Sequence, residues 1–408
     1  MKCGLLGRKL GHSYSPQIHS QLGDYSYDIF EKEPEELEAF LKSDDFTGLN
    51  VTIPYKKAVI PYLDHLSPIA QRLGAVNTIV RNADGTLTGH NTDHFGFLSM
   101  LERSGLSPAG KKVLVLGSGG ASATVCAVLQ DAGANVVVIS RSAEDHYGNL
   151  HRHADAAIIV NTTPVGMYPH TGQAPLSLSG FPQLEGVLDV IYNPARTQLL
   201  LEAERRGLVT MNGLWMLVAQ AKQSAEWFCG HSIEDGRIAR IHSHLKRQME
   251  NIVLIGMPGS GKSTVAALLQ EMTGRTAIDA DKQIEAAAGM AIPQIFALQG
   301  EEGFRQLEMQ VLAQLGMGSS AIIATGGGCV TRKENFDSLR QNGTVFWLQR
   351  DPEVLPTEGR PLSQRGDLAA MFAIRKPLYE AFCHYAVDNN GTPEEAAAQI
   401  LAILEGNV

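Results

Sequence analysis

Apolar residues in this chain fall into short runs bounded by glycine and polar positions, and the runs form three successive patterns. Up to about Leu101, short strands (Leu5-Leu6, Tyr27–Phe30, Leu49–Ile53, Thr78–Val80) alternate with helix-like stretches. Near Lys111 the pattern changes. A β-branched run, Val113–Leu116, enters the turn Gly117-Ser118-Gly119-Gly120-Ala121, a helix continues to Ala132, and Asn135–Ile139 reads as a second strand. That order predicts a βαβ unit with a phosphate-binding turn. The third pattern opens with a buried strand, Ile252–Ile255, followed by a glycine-rich turn and a helix from Lys262. Before it, Ile238, Ile241 and Leu245 sit at helical spacing, so one helix runs almost directly into the strand at Asn251.

The third turn carries the most specific chemistry. Gly256-Met257-Pro258-Gly259-Ser260-Gly261-Lys262-Ser263 has the spacing G-x-x-x-x-G-K-S and continues into Thr264. Glycines there let backbone N–H groups cradle a phosphate at a helix start. Lys262 adds a point charge near the transferring phosphoryl group, and the Ser263 hydroxyl can ligate Mg²⁺. This half is expected to bind a nucleoside triphosphate through Gly256, Pro258, Gly259, Ser260, Gly261, Lys262, Ser263 and Thr264. The earlier turn, Gly117–Ala121, suits a dinucleotide. At the tip of the following strand stands Ser140-Arg141-Ser142 where an NAD site would usually place Asp or Glu. Arg141 can pair with a 2′-phosphate, which predicts NADP, although Asp145 weakens the positive field nearby.

Composition narrows the partners. The 408 residues are enough for two or three domains, and 44% hydrophobic with 19% charged residues is ordinary for a globular protein. Residues 1–248 carry 22 basic and 24 acidic residues; residues 249–408 carry 12 and 19. That balance argues against nucleic acid and anionic membrane surfaces as partners and leaves small anionic ligands. No apolar run approaches the roughly eighteen residues of a membrane span, and the start MKCGLLGRKLGHS lacks a signal-peptide pattern. The five scattered cysteines read as reduced thiols, so a cytoplasmic location is expected.

Several further segments point to a polar pocket in the first half: His12-Ser13-Tyr14-Ser15-Pro16, Asn50-Val51-Thr52-Ile53-Pro54-Tyr55-Lys56-Lys57, Gly74-Ala75-Val76-Asn77-Thr78 and Gly89-His90-Asn91-Thr92-Asp93. Together with Asn161-Thr162-Thr163-Pro164-Val165-Gly166-Met167, Asp189-Val190-Ile191-Tyr192-Asn193-Pro194 and Gly213–Gln220, they closely resemble the shikimate dehydrogenase family over about residues 1–240. The resemblance implies Lys56 and Asp93 as the catalytic pair. It implies Ser13, Ser15, Thr52, Asn77, Tyr192 and Gln220 as further contacts to the substrate. Gly117, Ser118, Gly119, Gly120, Ala121, Ser140, Arg141, Ser142, Thr162, Met167 and Gly213 are then the residues along NADP. Departures are visible too. The stretch from Arg141 to Ala156 has room for little more than one helical turn, and the second basic residue that many relatives place after the Arg141 position is absent, which leaves the strictness of NADP preference open. His94 stands where the family commonly has glycine.

The second half needs its own acceptor. Ile278-Asp279-Ala280-Asp281 offers one carboxylate for Mg²⁺ and a second for an acceptor hydroxyl; Arg305 and Glu308 share a helix face, and Gly326-Gly327-Gly328 ends a strand at Ala321–Ala324. With Gly359-Arg360-Pro361-Leu362 and Arg375-Lys376-Pro377-Leu378-Tyr379-Glu380, this pattern resembles shikimate kinase over about residues 250–408. Carried across, Asp281, Arg305, Gly327, Gly328 and Arg375 hold the substrate, Lys262 is catalytic, Ser263 and Asp279 serve Mg²⁺, and Arg360 is a lid arginine near the ATP phosphates. The stretch from Asp351 to Arg360 is shorter than usual and lacks further arginines.

The two resemblances imply an α/β chain: an N-terminal α/β substrate domain (residues 1–101, completed by helices at about 213–248), a Rossmann-like dinucleotide domain (102–212), and a P-loop, NMP-kinase-like parallel α/β domain (250–408). They imply NADPH-dependent reduction of 3-dehydroshikimate to shikimate followed by ATP- and Mg²⁺-dependent 3-phosphorylation, in a monomer or homodimer whose partners are small molecules. Two alternatives stand beside this reading: a kinase half of reduced activity acting as a nucleotide-binding regulatory module, and a dehydrogenase acting on quinate.

Overall fold

A computed structural model describes residues 1–11, 13–355 and 368–406, so His12 and the Gly359-Arg360-Pro361-Leu362 motif lie outside the described residues. The chain forms two compact units. The first comprises Met1–Val165, Ala174–Tyr192 and Glu202–His244. The second comprises Gly166–Gln173, Asn193–Leu201 and the chain from Leu245 onward.

The first unit opens with strands β1 (Lys2–Gly7), β2 (Ser26–Glu31), β3 (Gly48–Val51), β4 (His65–Leu66), β5 (Thr78–Arg81) and β6 (Leu87–His90), in the spatial order β2-β1-β3-β5-β6-β4. The sheet is mixed, because β5 runs antiparallel to both β3 and β6. Helices α1 (Ser15–His19), α2 (Leu37–Lys42) and α3 (Pro68–Leu73) accompany it. Leu6, Leu49, Val51 and Ile79 pack with Leu37 and Leu41 of α2 to form its core.

Helix α4 (Asp93–Ser104) leads into a second sheet of β7 (Lys112–Leu116), β8 (Asn135–Ile139), β9 (Ile158–Asn161), β10 (Gly186–Asp189) and β11 (Val209–Met211), joined by α5 (Gly120–Asp131). All its strands are parallel, in the order β11-β10-β9-β7-β8. Strands β8 and β9 flank β7 on opposite sides, so the strand order reverses at the carboxyl end of β7. Open parallel sheets bind ligands in the crevice formed there. After β8 the chain makes only a single 3₁₀ turn, Leu150–His153, before β9, in keeping with the short stretch from Arg141 to Ala156. Helices α6 (Gln198–Arg205), α7 (Leu214–Cys229) and α8 (Gly236–Met249) follow; Ile238, Ile241 and Leu245 of α8 are buried, as their spacing predicts.

The second unit is a parallel sheet of β12 (Asn251–Ile255), β13 (Thr276–Asp279), β14 (Ala321–Ala324), β15 (Gly343–Gln349) and β16 (Tyr385–Asp388), ordered β13-β14-β12-β15-β16. Its helices are α9 (Lys262–Thr273), α10 (Ala280–Ala288), α11 (Ile292–Met317), α12 (Glu334–Arg340), α13 (Leu368–Phe382) and α14 (Pro393–Glu405). Along β12, Ile252 and Leu254 pack with Val265, Leu269 and Ile400, whereas Val253 and Ile255 pack with Leu312, Leu339 and Tyr379. Both faces of the strand are covered, so its apolar run is continuous rather than alternating. The flanking order, β14 on one side of β12 and β15 on the other, places the crevice at the glycine-rich turn after Ile255. Among the described residues no helix is long and apolar enough to cross a membrane.

Candidate active sites

In the first unit, Lys56 and Asp93 come together from the segments that follow β3 and β6, the two strands that flank β5. Lys56 lies in the turn after β3, its carbonyl accepting the Val76 N–H at 2.7 Å. Asp93 is the first residue of α4, where the helix dipole favours a carboxylate. The Lys56 Nζ donates to Asp93 Oδ2 at 2.6 Å, with both side chains partly open to solvent. Asn77, Thr52 and Gln220 are set around this pair by backbone and side-chain bonds. The Asn77 Oδ1 accepts the Thr92 N–H at 2.7 Å, Thr52 donates its N–H to Leu6 at 3.0 Å, and Thr92 Oγ1 donates to Gln220 Oε1 at 3.4 Å. The Ser13 hydroxyl accepts the Ser15 N–H at 3.2 Å, and Tyr192 meets Tyr14 edge to face, ring centroids 6.2 Å apart.

A buried hydroxyl–amide network joins Gln220 to Ser224, Asn50, Thr78 and Thr92, and none of these four is among the substrate contacts the resemblance implies. Ser224, one turn beyond Gln220 on α7, receives the Asn50 Nδ2 at 2.8 Å, lies 2.8 Å from Thr78 Oγ1 and 2.9 Å from Thr92 Oγ1, and donates to the Gln220 carbonyl at 3.0 Å. Asn50 in turn accepts from Tyr27 Oη at 2.7 Å. Satisfied buried networks of this kind hold their members in one arrangement. Substituting Ser224 with alanine removes one partner each from the Asn50 amide and the Thr78 and Thr92 hydroxyls, which keep bonds to one another and to Asn77, and is expected to destabilise this unit by about 0.5–1.5 kcal/mol. Chemical denaturation of the variant measures the loss; an unchanged midpoint would show that the network is dispensable.

The nucleotide turn follows β7. Gly117 has φ 102, and a side chain on it would crowd Thr162 and Thr163. Gly119 caps α5, and a side chain added at Gly119 or Gly120 would meet nothing within 4 Å, so the outer face of the turn is open to a ligand. The Thr162 hydroxyl and N–H both donate to Leu116 O, at 2.6 and 3.0 Å, tying the end of β9 to the turn. At the tip of β8, Ser140 is buried whereas Arg141 and Ser142 are exposed. Asp145 Oδ1 lies 2.8 Å from His153 Nε2, which is its ion-pair partner among the described residues. Gly213 lies against the Val190 backbone, where a side chain would collide. Met167 is half exposed and belongs to the segment Gly166–Gln173 of the second unit. His94, whose residue type has no account from sequence, lies 3.6 Å from Asp131, which also binds Arg72 through two bonds of 2.8 Å.

The second unit holds a cavity of about 620 Å³ at the carboxyl end of β12. One end is the glycine-rich turn: Gly256, Gly259 and Gly261 have φ of 148, 87 and 93, conformations that favour glycine. Lys262 is buried, and its Nζ donates to the carbonyls of Gly256 and Met257, each at 2.9 Å. Ser263 Oγ donates to Asp279 Oδ2 at 3.1 Å, while Asp279 Oδ1 accepts N–H groups of Asp281 and Lys282 to cap α10. Pro258, Gly259 and Thr264 line the cavity, and Ser260 is fully buried with its carbonyl accepting the Asn389 Nδ2 at 2.6 Å.

At the other end stand Asp281, Arg305, Arg375 and Gly326–Gly328. Arg305 and Glu308 are buried and bonded at 2.7 Å, yet Arg305 Nε and Glu308 Oε1 have no hydrogen-bond partner. Burial raises the Asp281 carboxyl above its ordinary range, and neighbouring Asp279 adds to this. Arg375 Nη1 donates to Gly327 O at 3.1 Å, and Tyr379 Oη donates to the same carbonyl at 2.5 Å. A side chain on Gly327 would come within 2.5 Å of Pro258, and one on Gly328 would collide with the Arg305 guanidinium. Close approach explains both glycines.

Comparison with known proteins gives the lineage. A shikimate dehydrogenase (NADP⁺) of Clostridium perfringens is 37% identical over 265 residues, 60% of this chain and 97% of the relative. The chain belongs to the shikimate dehydrogenase family. The family's substrate-binding domain matches residues 5–79, and residues 258–405 match the shikimate kinase family. Among solved structures, a shikimate dehydrogenase of Peptoclostridium difficile superposes with a TM-score of 0.55 at 38% identity, covering 60% of this chain and 97% of its own. A chorismate mutase/shikimate 5-dehydrogenase fusion protein of Clostridium acetobutylicum gives 0.57 at 35%, with the same two shares. Dehydrogenase and kinase families thus meet in one chain.

Proposed function

We propose that the chain carries out two successive reactions, reducing 3-dehydroshikimate to shikimate with NADPH and then phosphorylating shikimate at its 3-hydroxyl with ATP. The observation that carries this reading is the presence, in one polypeptide, of the Lys56–Asp93 pair and of a phosphate-loop cavity lined by Asp281, Arg305 and Arg375.

NADPH, when bound, would supply the hydride for reduction of the ring ketone. The ketone oxygen gains negative charge as this happens, and the Lys56 ammonium gives it a proton. Asp93 holds that ammonium in place and balances its charge. Ser13, Ser15, Thr52, Asn77, Tyr192 and Gln220 orient the ring hydroxyls and carboxylate. The open turn Gly117–Ala121 suits the cofactor diphosphate, with Ser140, Arg141 and Ser142 toward its 2′-phosphate and Thr162 and Gly213 along its length.

In the second reaction Arg305 and Arg375 pair with the shikimate carboxylate, and Gly327 and Gly328 let it approach. Asp281 accepts a bond from the acceptor hydroxyl, and its raised pKa suits it to take up the proton as the oxygen attacks. Lys262 neutralises charge on the moving phosphoryl group. The residues also fit Mg²⁺, which supplies charge neutralisation at the phosphates. Ser263 Oγ and Asp279 Oδ2 converge at 3.1 Å, and Mg²⁺ typically needs only one or two protein oxygens besides phosphate and water.

Two assays test the first half. Oxidation of shikimate should be far faster than that of quinate; preference for quinate would overturn the substrate assignment. NADP should be preferred over NAD, and Arg141→Ala should narrow that preference by about 1.5–3 kcal/mol, the scale of a hydrogen bond to a charged group. Equal use of the two cofactors by the unaltered chain would refute the role of Arg141.

A further inference from the structure

Arg350 follows β15 and lines the same cavity as Gly261, Lys262 and Ser263, outside every motif that marks the kinase half. Its Nη1 lies 3.8 Å from the point a Cβ on Gly261 would occupy, so the guanidinium stands beside the start of α9. Its Nε is buried and has no hydrogen-bond partner. The nearby carboxylates are engaged elsewhere. Asp351 Oδ1 accepts the Glu353 N–H at 3.0 Å, and Asp388 Oδ1 accepts the Asn390 N–H and amide at 3.0 and 2.7 Å. A buried guanidinium N–H left unpaired costs free energy unless a ligand supplies the acceptor.

Charge in the cavity points the same way. Among the described residues, four cationic side chains line it: Lys262, Arg305, Arg350 and Arg375. Arg305 is bonded to Glu308 and Glu301, and Arg375 is bonded to Gly327 at the far end. Among the described residues, Lys262 and Arg350 are therefore the cations beside the phosphate loop. A nucleoside triphosphate brings several negative charges to that loop, and residues 351–359 contain no lysine or arginine. Resting on the reading of this half as an ATP-dependent kinase, we infer that Arg350 is a nucleotide-binding residue that pairs with a phosphate of the nucleotide held by Gly256–Ser263. Its planar fork of donors suits a phosphate, and its unused Nε supplies one arm.

The test uses the full chain and its Arg350→Ala, Arg350→Gln and Arg350→Lys variants. The alanine and glutamine variants should raise the KM for Mg-ATP by about ten-fold or more, the lysine variant by less, with the KM for shikimate and the dehydrogenase rate unchanged. ADP and adenosine then serve as binding probes. ADP should weaken by a similar factor in Arg350→Ala while adenosine does not. Equal weakening of adenosine would move Arg350 from the phosphates to the base, and an unchanged KM for Mg-ATP would remove it from the site; either result overturns the inference while the kinase reading stands. A full chain that phosphorylates no shikimate at saturating Mg-ATP would overturn the kinase reading itself.

Discussion

Replacing Lys56 with alanine is expected to slow the reduction of 3-dehydroshikimate by roughly 10²–10⁴-fold, the usual range for a lost acid–base group. Asp93 holds the Lys56 ammonium at 2.6 Å, and in the proposed mechanism this nitrogen gives the developing alkoxide its proton. Asp93 would remain as an unbalanced carboxylate near the substrate and add to the loss. Shikimate phosphorylation should be unchanged in the same variant, since Lys56 belongs to the first unit and the phosphate loop to the second. Steady-state rates of both reactions on one preparation check this. Near-normal reduction, or a parallel loss of phosphorylation, would contradict the assignment.

The second large effect separates two kinds of cation in the kinase cavity. Arg375→Ala should raise the KM for shikimate by about 10- to 100-fold and leave ATP binding nearly intact, because a charge-assisted pair with a carboxylate contributes roughly 1.5–3 kcal/mol. Lys262→Ala should instead lower kcat by roughly 10²–10³-fold, the scale for removing one group that stabilises charge in the transition state. Lys262 is already buried against Gly256 O and Met257 O, inside the loop proposed to receive the phosphates, whereas Arg375 donates to Gly327 O at the other end. Titrating ATP and shikimate separately into each variant distinguishes the two. Loss of ATP affinity in Arg375→Ala with normal shikimate affinity would reverse the placement of the two ligands.

What could be read from the sequence was local. The turn Gly256–Ser263 is legible because its geometry is set by residues a few positions apart, and the strands before both glycine turns stand where their apolar runs place them. Lys56 and Asp93 are 37 positions apart, and nothing in their spacing brings them together; only resemblance to a family did so. The network around Ser224 was out of reach for the same reason, because the Asn50–Ser224 bond closes a separation of 174 residues. Its faint signal is a serine one helical turn after Gln220 on a face that is otherwise apolar. Arg350 gives no sequence signal at all. Its position matters because β15 lies beside β12 and so ends at the phosphate loop, a relation set by strand order.

The most direct test of two linked reactions supplies the intact chain with 3-dehydroshikimate, NADPH, ATP and Mg²⁺ and follows every carbon product over time. NADPH should be consumed, shikimate should appear and then decline, and shikimate 3-phosphate should accumulate in step with ADP. Shikimate that accumulates without being phosphorylated at saturating Mg-ATP would contradict the account, and would leave the second unit as a nucleotide-binding module attached to a dehydrogenase.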